Sequence, residues 1–193
     1  PGQMLLDPFC AGGVITIEAA LMATGRSLHH YDKKLACQKH PLFAEAVEEI
    51  IAATDEKTTE QEAKLINAYD AQLRNVTAAK KNAKIAGVEK SITFSKMDAE
   101  WLDTKFSSKS LMHVITQPLE ASKHVPKTKA LQVNKELFYA CDYTLATDGK
   151  VTFLCQHPED LVEAGKTYGF KKKEQVQVFA GKLPLWIAIF HKD

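Results

Sequence analysis

The sequence has few of the features that mark metal sites, membrane spans or arginine-rich surfaces. Its four cysteines include no C-x-x-C pair, so we expect free thiols in a reducing cytoplasm rather than a zinc site or a redox dithiol. No apolar run approaches the ~18 residues of a membrane span. Arg26 and Arg74 are the only arginines among 25 basic residues, so bidentate recognition of phosphate or guanine would depend on few side chains.

The histidine spacing and the small net charge also give little sign of a ligand. His29, His30 and His40 have no carboxylate or cysteine at ligand spacing, which favours surface positions, and we predict no metal site. The formal net charge of +1 neither requires nor excludes a nucleic-acid partner.

The length predicts one domain. A chain of 193 residues can bury a full core without dividing into two units. The first residue is Pro1 rather than methionine, and an apolar run begins almost at once. We therefore expect this sequence to be the C-terminal part of a longer protein.

The chain is organised around residues 4–18. An apolar run ends in Asp7, a loop with Gly12 and Gly13 follows, and helical periodicity then begins. This pattern predicts a strand, a tight turn and a helix, in which the glycines let a ligand approach the backbone. The loop has neither the Lys-Ser/Thr of a phosphate-binding loop nor G-x-G-x-x-G. A nucleotide-like ligand without a phosphate chain fits it better.

Residues 26–65 interrupt the expected return to a second strand. Apolar residues at helical spacing over 42–51 predict one helix, and residues 55–66 predict a second, more polar one. About 40 residues are too few for an independent core. We therefore expect a helical insertion packed on the sheet.

The second strand, residues 65–70, ends in Asp70 and precedes a helix over 71–86. An acid at the carboxyl end of such a strand can accept both hydroxyls of a ribose. Asp70 lies 63 positions after Asp7, and removing the 39 residues of 26–64 leaves 24. That spacing is close to the ~20 residues typical of a ribose-binding acid.

The remaining segments complete an alternating pattern. Strands are predicted at 92–95, 111–116, 150–155, 174–179 and 185–191, helices at 129–147 and 158–166, and a turn at 148–149. The last two strands have no helix between them, which predicts an antiparallel pair at one edge of an α/β sheet.

Two segments resemble a known family. Residues 7–15, Asp-Pro-Phe-Cys-Ala-Gly-Gly-Val-Ile, followed by Ile-Glu-Ala-Ala-Leu, resemble the first motif of the S-adenosylmethionine-dependent RNA methyltransferases that carry a THUMP domain and methylate guanine in rRNA or tRNA. The family usually reads Asp-Pro-Phe-Cys-Gly-Ser-Gly-Thr-Ile, from which Ala11, Gly12 and Val14 depart. Residues 68–88 resemble its second motif, an acid followed by a helix ending in Asn-Ala-x-x-Ala-Gly-Val. The implied fold is a single Rossmann-like methyltransferase domain with a seven-stranded sheet, an antiparallel edge strand and a helical insertion.

The resemblance implies S-adenosylmethionine as the cofactor. The residues that it implies for cofactor binding are Asp7, Pro8, Phe9, Ala11, Gly12, Gly13, Asp70, Ala71, Asp98 and Ala99. Asp98 would accept a hydrogen bond from the exocyclic amine of adenine, a role open also to Glu100 and Asp103. Trp101 could cover the adenine ring or pack against the protein. Ala11 is expected to be tolerated if its φ is negative.

The fourth strand delivers Gln117-Pro118-Leu119-Glu120. Family members that methylate exocyclic amines have Asn or Asp, two prolines and an aromatic here. The amide and a proline carbonyl accept the N–H bonds of the amine, and the aromatic stacks on the flipped base. In an alignment with the family motif without gaps, Gln117 and Pro118 take the catalytic positions. Leu119 and Glu120 then replace the second proline and the aromatic. Residues 120–130 are expected to form a mobile loop on the substrate side.

These patterns favour methyl transfer to a base of structured rRNA or tRNA, with the guanine exocyclic amine as the target. Much of the RNA affinity would come from an N-terminal RNA-binding domain missing from the sequence. A catalytically impaired protein that binds cofactor or RNA as a scaffold stays open, as does a small-molecule or protein methyltransferase. Residues 117–120 discriminate between the catalytic and the silent alternative.

Overall fold

The structure, a computed structural model, describes residues 2–26, 35–59 and 65–192. The strands are β1 (Leu5–Asp7), β2 (Ile66–Asp70), β3 (Ile92–Lys96), β4 (Leu111–Thr116), β5 (Leu145–Cys155), β6 (Phe170–Ala180) and β7 (Leu183–Lys192). The helices are α1 (Val14–Thr24), α2 (Ala44–Glu56), α3 (Leu73–Ile85), α4 (Lys127–Thr144) and α5 (Pro158–Lys166), with 3₁₀ turns at Ala36–Lys39, Glu89–Ser91 and Ala99–Thr104.

The strands form one seven-stranded sheet in the order β3-β2-β1-β4-β5-β7-β6. Strands β1 to β5 pair with one another in parallel, and β7 is antiparallel to both β5 and β6. This confirms the predicted methyltransferase fold with its antiparallel edge. The strand order reverses between β1 and β4, where ligands of open α/β sheets bind outside the carboxyl ends of the strands.

Two apolar layers cover the sheet. All five residues of β2 are buried, as in a parallel strand covered on both faces. One layer packs large side chains of α4, β5 and β7, including Phe138, Phe153 and Phe190. The other layer is built from small residues of α1 and α3, such as Ala20 and Ala79. Small side chains let α1 and α3 lie close to β1 and β2, which fixes the loop between β1 and α1.

The predicted boundaries of α4, β5 and β6 are wrong, and the helix predicted to run to residue 147 ends at Thr144. Helix α4 starts at Lys127, directly after Pro126, so residues 127–130 are helical and not part of a loop. The turn predicted at 148–149 lies inside β5, which begins at Leu145 and bulges before its ladder with β4 resumes. Strand β6 begins at Phe170 rather than at residue 174. In the latter two cases strand pairing extends through segments whose local signals are those of turns and solvated charge.

The insertion also differs from its prediction. Helix α2 ends at Glu56, residues 57–59 are not helical, and residue 66 belongs to β2, so the second helix predicted at 55–66 is wrong. Residues 60–64, His29 and His30 lie outside the described residues. No residue of α2 is buried, and the expected packing on the sheet is wrong for the described part. The Thr59 N–H donates to the Thr24 carbonyl at 2.8 Å, which joins the insertion to the end of α1.

Candidate functional site

A cavity of about 570 Å³ opens at the carboxyl ends of the parallel strands. Its size lies within the ~300–1,000 Å³ typical of small-molecule sites. Eight of the predicted site residues line it: Phe9, Ala11, Asp70, Ala71, Asp98, Ala99, Gln117 and Pro118. The structure therefore brings the ends of the four predicted motif strands to one cavity.

The other four predicted residues lie behind the cavity wall. Asp7, Pro8 and Gly13 are buried, Gly12 is half-buried, and none of them lines the cavity. They shape the loop between β1 and α1 instead of presenting side chains. Their part in cofactor binding stays a prediction.

Gly13 sets how closely that loop approaches α3. Its φ is +84°, and a Cβ added there would lie 2.9 Å from the Cβ of Ala79. A side chain has neither the conformation nor the room at this position. The loop backbone can consequently lie close to α3 at this position.

Asn82 holds the same loop from α3. Its side-chain Nδ2 donates to the Gly12 carbonyl at 2.8 Å. This bond spans 70 positions of sequence and fixes a peptide beside Gly13. Asn82 belongs to the second resemblance motif, and its contact gives that motif a structural role.

Ala11 departs from the expected conformation. Its φ is +44°, so the condition of a negative φ under which alanine was expected to be tolerated is not met. The left-handed region costs a residue with a Cβ about 1–2 kcal/mol. The Ala11 N–H donates to Asp70 Oδ2 at 3.1 Å, and this contact holds the strained residue in place.

Asp70 is buried and strongly hydrogen-bonded. Its Oδ1 accepts the Gln72 N–H at 2.8 Å and Asn75 Nδ2 at 3.0 Å, while Oδ2 accepts the Ala11 N–H. The residue as a whole is 6% exposed and still lines the cavity. These three donors fix its orientation towards a ligand.

Asp7 lies under the loop with 1% of its surface exposed. Its Oδ1 accepts the Thr116 hydroxyl at 2.5 Å and the Phe9 N–H at 3.2 Å. Burial raises the pKa of this carboxyl to about 7, against the lowering effect of these two hydrogen bonds, and the nearby Asp70 charge adds to the increase. The Asp7–Thr116 bond joins the end of β1 to the residue before Gln117.

The segment after β4 has two different halves. Gln117 is exposed at the cavity and Pro118 is buried beside it. Glu120 instead accepts the backbone N–H groups of Gln156 and His157 at 2.8 and 2.9 Å, at the start of α5. The residue at the family's aromatic position therefore anchors the α5 end.

The three acids after β3 that could accept the adenine amine differ in their relation to the cavity. Glu100 lines the cavity together with Asp98, whereas Asp103 does not. Trp101 is 56% exposed and lies with Tyr139 and Tyr168 in a second groove of about 340 Å³. It neither covers the central cavity nor packs into the core.

Sequence reasoning missed five residues that line the cavity: Gln72, Asn75, Lys129, Val133 and Glu136. The first two closely follow Asp70 at the end of its strand, and this position was a usable signal that they lie near the cavity. The last three recur at i, i+4 and i+7 along one face of α4. Nothing in the sequence says that this face meets the cavity.

The described part of the chain has neither a metal-binding cluster nor a helix that could cross a membrane. Within residues 2–26, 35–59 and 65–192, no three His, Cys, Asp or Glu side chains are grouped to hold a metal. All four cysteines are free, and only Cys37 is exposed. No helix in this part of the chain is long and apolar enough to cross a membrane.

A family model described as the RMKL-like methyltransferase domain matches residues 1–184. The chain belongs to this family. Membership confirms the predicted class of protein and its cofactor, S-adenosylmethionine. The ribosomal RNA large subunit methyltransferase K/L of Acinetobacter baumannii strain AYE is 26% identical over 203 residues, covering 96% of this chain and 25% of that protein. The chain thus spans about a quarter of the length of the curated relatives that it matches.

Solved structures share the fold. The crystal structure of SMU.472 complexed with SAH superposes with a TM-score of 0.82 at 19% identity, over 100% of this chain and 49% of that chain. A possible methylase from Clostridium difficile 630 gives a TM-score of 0.81 at 24% identity, over 100% of this chain and 48% of that chain. Both similarities support the same seven-stranded architecture.

Proposed function

We propose that this domain binds S-adenosylmethionine in the central cavity and transfers its methyl group to a base of structured RNA. The observation that carries the proposal is the meeting of Asp70, Asp98 and Gln117 at one cavity. Family membership supports the reaction class. The A. baumannii relative is a large-subunit rRNA methyltransferase, which favours ribosomal RNA over tRNA as the substrate class.

The residues present fit the adenosine part of the cofactor. Asp70 and Asp98 are acceptor-only groups at the cavity, suited to ribose hydroxyls and to the adenine amine respectively. The absence of a side chain at Gly13, where a Cβ would collide with Ala79, lets the loop after β1 pack closely against α3. S-Adenosylmethionine, when bound, supplies an electrophilic methyl group on a sulfonium.

Gln117 and Pro118 are proposed to orient the accepting amine. An exocyclic amine of guanine has a delocalised lone pair, so catalysis depends on placement more than on a strong base. The Gln117 amide oxygen and the Pro118 carbonyl would accept its two N–H bonds. Gln117 is exposed at the cavity, where an incoming base would meet it.

The RNA itself is proposed to be held mainly by a region outside this chain. Arg26 and Arg74 are the only arginines, and neither lines the cavity. Lys129 does line it, on the first turn of α4. One lysine supplies a point charge for phosphate but no bidentate recognition.

Cofactor binding is tested first, by calorimetric titration of the chain with S-adenosylmethionine. We expect micromolar affinity, reduced at least about tenfold in Asp70→Ala because the buried acceptor is lost. Asp98→Asn is the milder partner variant, since it keeps an amide oxygen towards adenine. Undetectable binding to the wild-type chain would refute the cofactor site.

Methyl transfer is tested separately, with tritiated cofactor and an unmodified large-subunit rRNA transcript, followed by mass analysis of nucleosides. N2-methylguanosine is the expected product. Gln117→Ala should reduce transfer about a hundredfold while cofactor affinity stays unchanged, because the loss is one of placement. Cofactor binding without transfer to any RNA would favour the silent scaffold, for which Glu120 at the aromatic position is the supporting observation.

A further inference from the structure

Asp70 has too few free acceptor positions to bind both hydroxyls of a ribose. A carboxylate offers about four lone-pair positions, two on each oxygen. Oδ1 already accepts Gln72 N–H and Asn75 Nδ2, and Oδ2 accepts the Ala11 N–H. One position, on Oδ2, is left for a ligand.

Asn75 lies where a second acceptor is needed. It stands on the first turn of α3, is half-buried and lines the same cavity as Asp70. Its Nδ2 lies 3.0 Å from Asp70 Oδ1. Because an ionised carboxylate only accepts hydrogen bonds, the amide nitrogen must be the atom that faces Asp70. The bond therefore fixes the amide orientation and leaves the carbonyl oxygen as the free acceptor.

We infer that Asn75 binds the ribose of the cofactor together with Asp70. Asp70 Oδ2 accepts one ribose hydroxyl, and Asn75 Oδ1 accepts the vicinal one. The Asp70–Asn75 bond holds both acceptors in place before the ligand arrives, which reduces the ordering cost of binding. This inference rests on the proposed cofactor site. It places one of the two ribose-binding residues on α3, in addition to Asp70 at the end of β2.

Such a pair selects ribose over deoxyribose. A ligand that lacks the hydroxyl facing Asn75 leaves the amide oxygen desolvated and unpaired. Removing Asn75 and removing that hydroxyl should then be alternative ways of losing one hydrogen bond. Their effects on affinity should not add.

The test measures binding of S-adenosylhomocysteine and of its 2′-deoxy and 3′-deoxy analogues to the wild-type chain and to Asn75→Ala. We expect Asn75→Ala to weaken the parent ligand about tenfold. For one of the two deoxy analogues the same substitution should change affinity less than about twofold. The deciding quantity is the ratio of the affinities for the parent ligand and for each deoxy analogue, taken on one variant at a time, so a partial loss of folded protein cancels from it.

Gln72→Ala is the matched control, because Gln72 also lines the cavity but contacts Asp70 through its backbone. It should change the affinities for all three ligands by one common factor. Equal weakening of all three by Asn75→Ala would overturn the inference, since Asn75 would then act only by holding Asp70. No weakening of the parent ligand would overturn it too. Failure of the wild-type chain to bind S-adenosylhomocysteine would instead refute the proposed cofactor site itself.

Discussion

The Ala11 N–H reaches the carboxylate of Asp70 at 3.1 Å, and Ala11 makes this contact with a φ of +44°. The contact links the loop after β1 to the end of β2, across 59 positions of sequence. It stabilises a conformation that L-residues rarely adopt. Cofactor-loop geometry and backbone strain are therefore coupled at one hydrogen bond.

Replacing Ala11 by glycine should relieve that strain. We expect Ala11→Gly to stabilise the fold by about 0.5–1 kcal/mol, since the left-handed cost exceeds the added chain entropy. Urea unfolding measures the change. Ala71→Gly is the control, because Ala71 also lines the cavity but has no positive φ, and it should destabilise by a similar amount. Destabilisation by Ala11→Gly would show that the residue is not strained.

Gly13→Ala should have the opposite effect. The new Cβ would lie 2.9 Å from the Cβ of Ala79 at a φ of +84°. We expect a loss of about 2–4 kcal/mol in unfolding free energy and a weaker cofactor affinity. In Gly13→Ala/Ala79→Gly the shortest contact, with the Cβ of Ala79, is removed but the backbone strain stays, so the combined loss should be smaller than the sum of the single losses. Additive losses would contradict a contact between these two positions.

Asp7 should make the stability fall as the pH rises. Its pKa is about 7 in the folded chain, above the ordinary value of 3.8. Between these two values the folded state binds more protons than the unfolded state, so unfolding free energy decreases with increasing pH and levels off above pH 7. Over the whole window Asp7 contributes a decrease of at most about 4 kcal/mol.

Asp7→Asn should remove this decrease. The amide oxygen still accepts the Thr116 hydroxyl, and no charge has to be buried. Urea unfolding from pH 4.5 to pH 8 gives the comparison, with exposed Asp98→Asn as the variant that keeps the wild-type slope. An unchanged slope in Asp7→Asn would mean that Asp7 is ionised throughout this window.

Glu120 should matter for the fold rather than for stacking on a base. Glu120→Ala leaves the N–H groups of Gln156 and His157 without their acceptor, and we expect a loss of about 1–3 kcal/mol. Glu120→Phe should be destabilised as well and should not increase methyl transfer. Glu159→Ala, at an exposed site on α5, should cost less than about 0.5 kcal/mol. Thermal unfolding measures the stability of the three variants, and the methyl-transfer assay measures the activity of Glu120→Phe.

The strand ends could be predicted because their signals are local. Asp70, Asp98 and Gln117 each follow an apolar run, and parallel strands bring such ends to one edge of the sheet. The positions of Gln72 and Asn75 after the end of β2 were a usable signal for the cavity, but the hydrogen bonds that Asp70 makes were not predictable in this way. Ala11 reaches Asp70 from the loop after β1, and the orientation of Asn75 depends on the angle at which α3 leaves β2.

Other parts of the site depend on packing that the sequence does not state. The face of α4 with Lys129, Val133 and Glu136 combines a basic, an apolar and an acidic side chain. Only the position of the helix shows that this face borders the cavity. Glu120 was aligned to an aromatic by order alone, whereas its role is set by the α5 terminus. Similarly, β5 continues through residues 148–149 because pairing outweighs a local turn signal.

The hydrogen bond between Thr59 and Thr24 brings the chain back to the end of α1 within the insertion. A segment that leaves and returns at a single point places little constraint on the sheet. Its length and composition are therefore free to diverge between related proteins without altering the register of β1 and β2. The same junction offers a site where a short turn or a foreign domain can be grafted while the cavity keeps its shape.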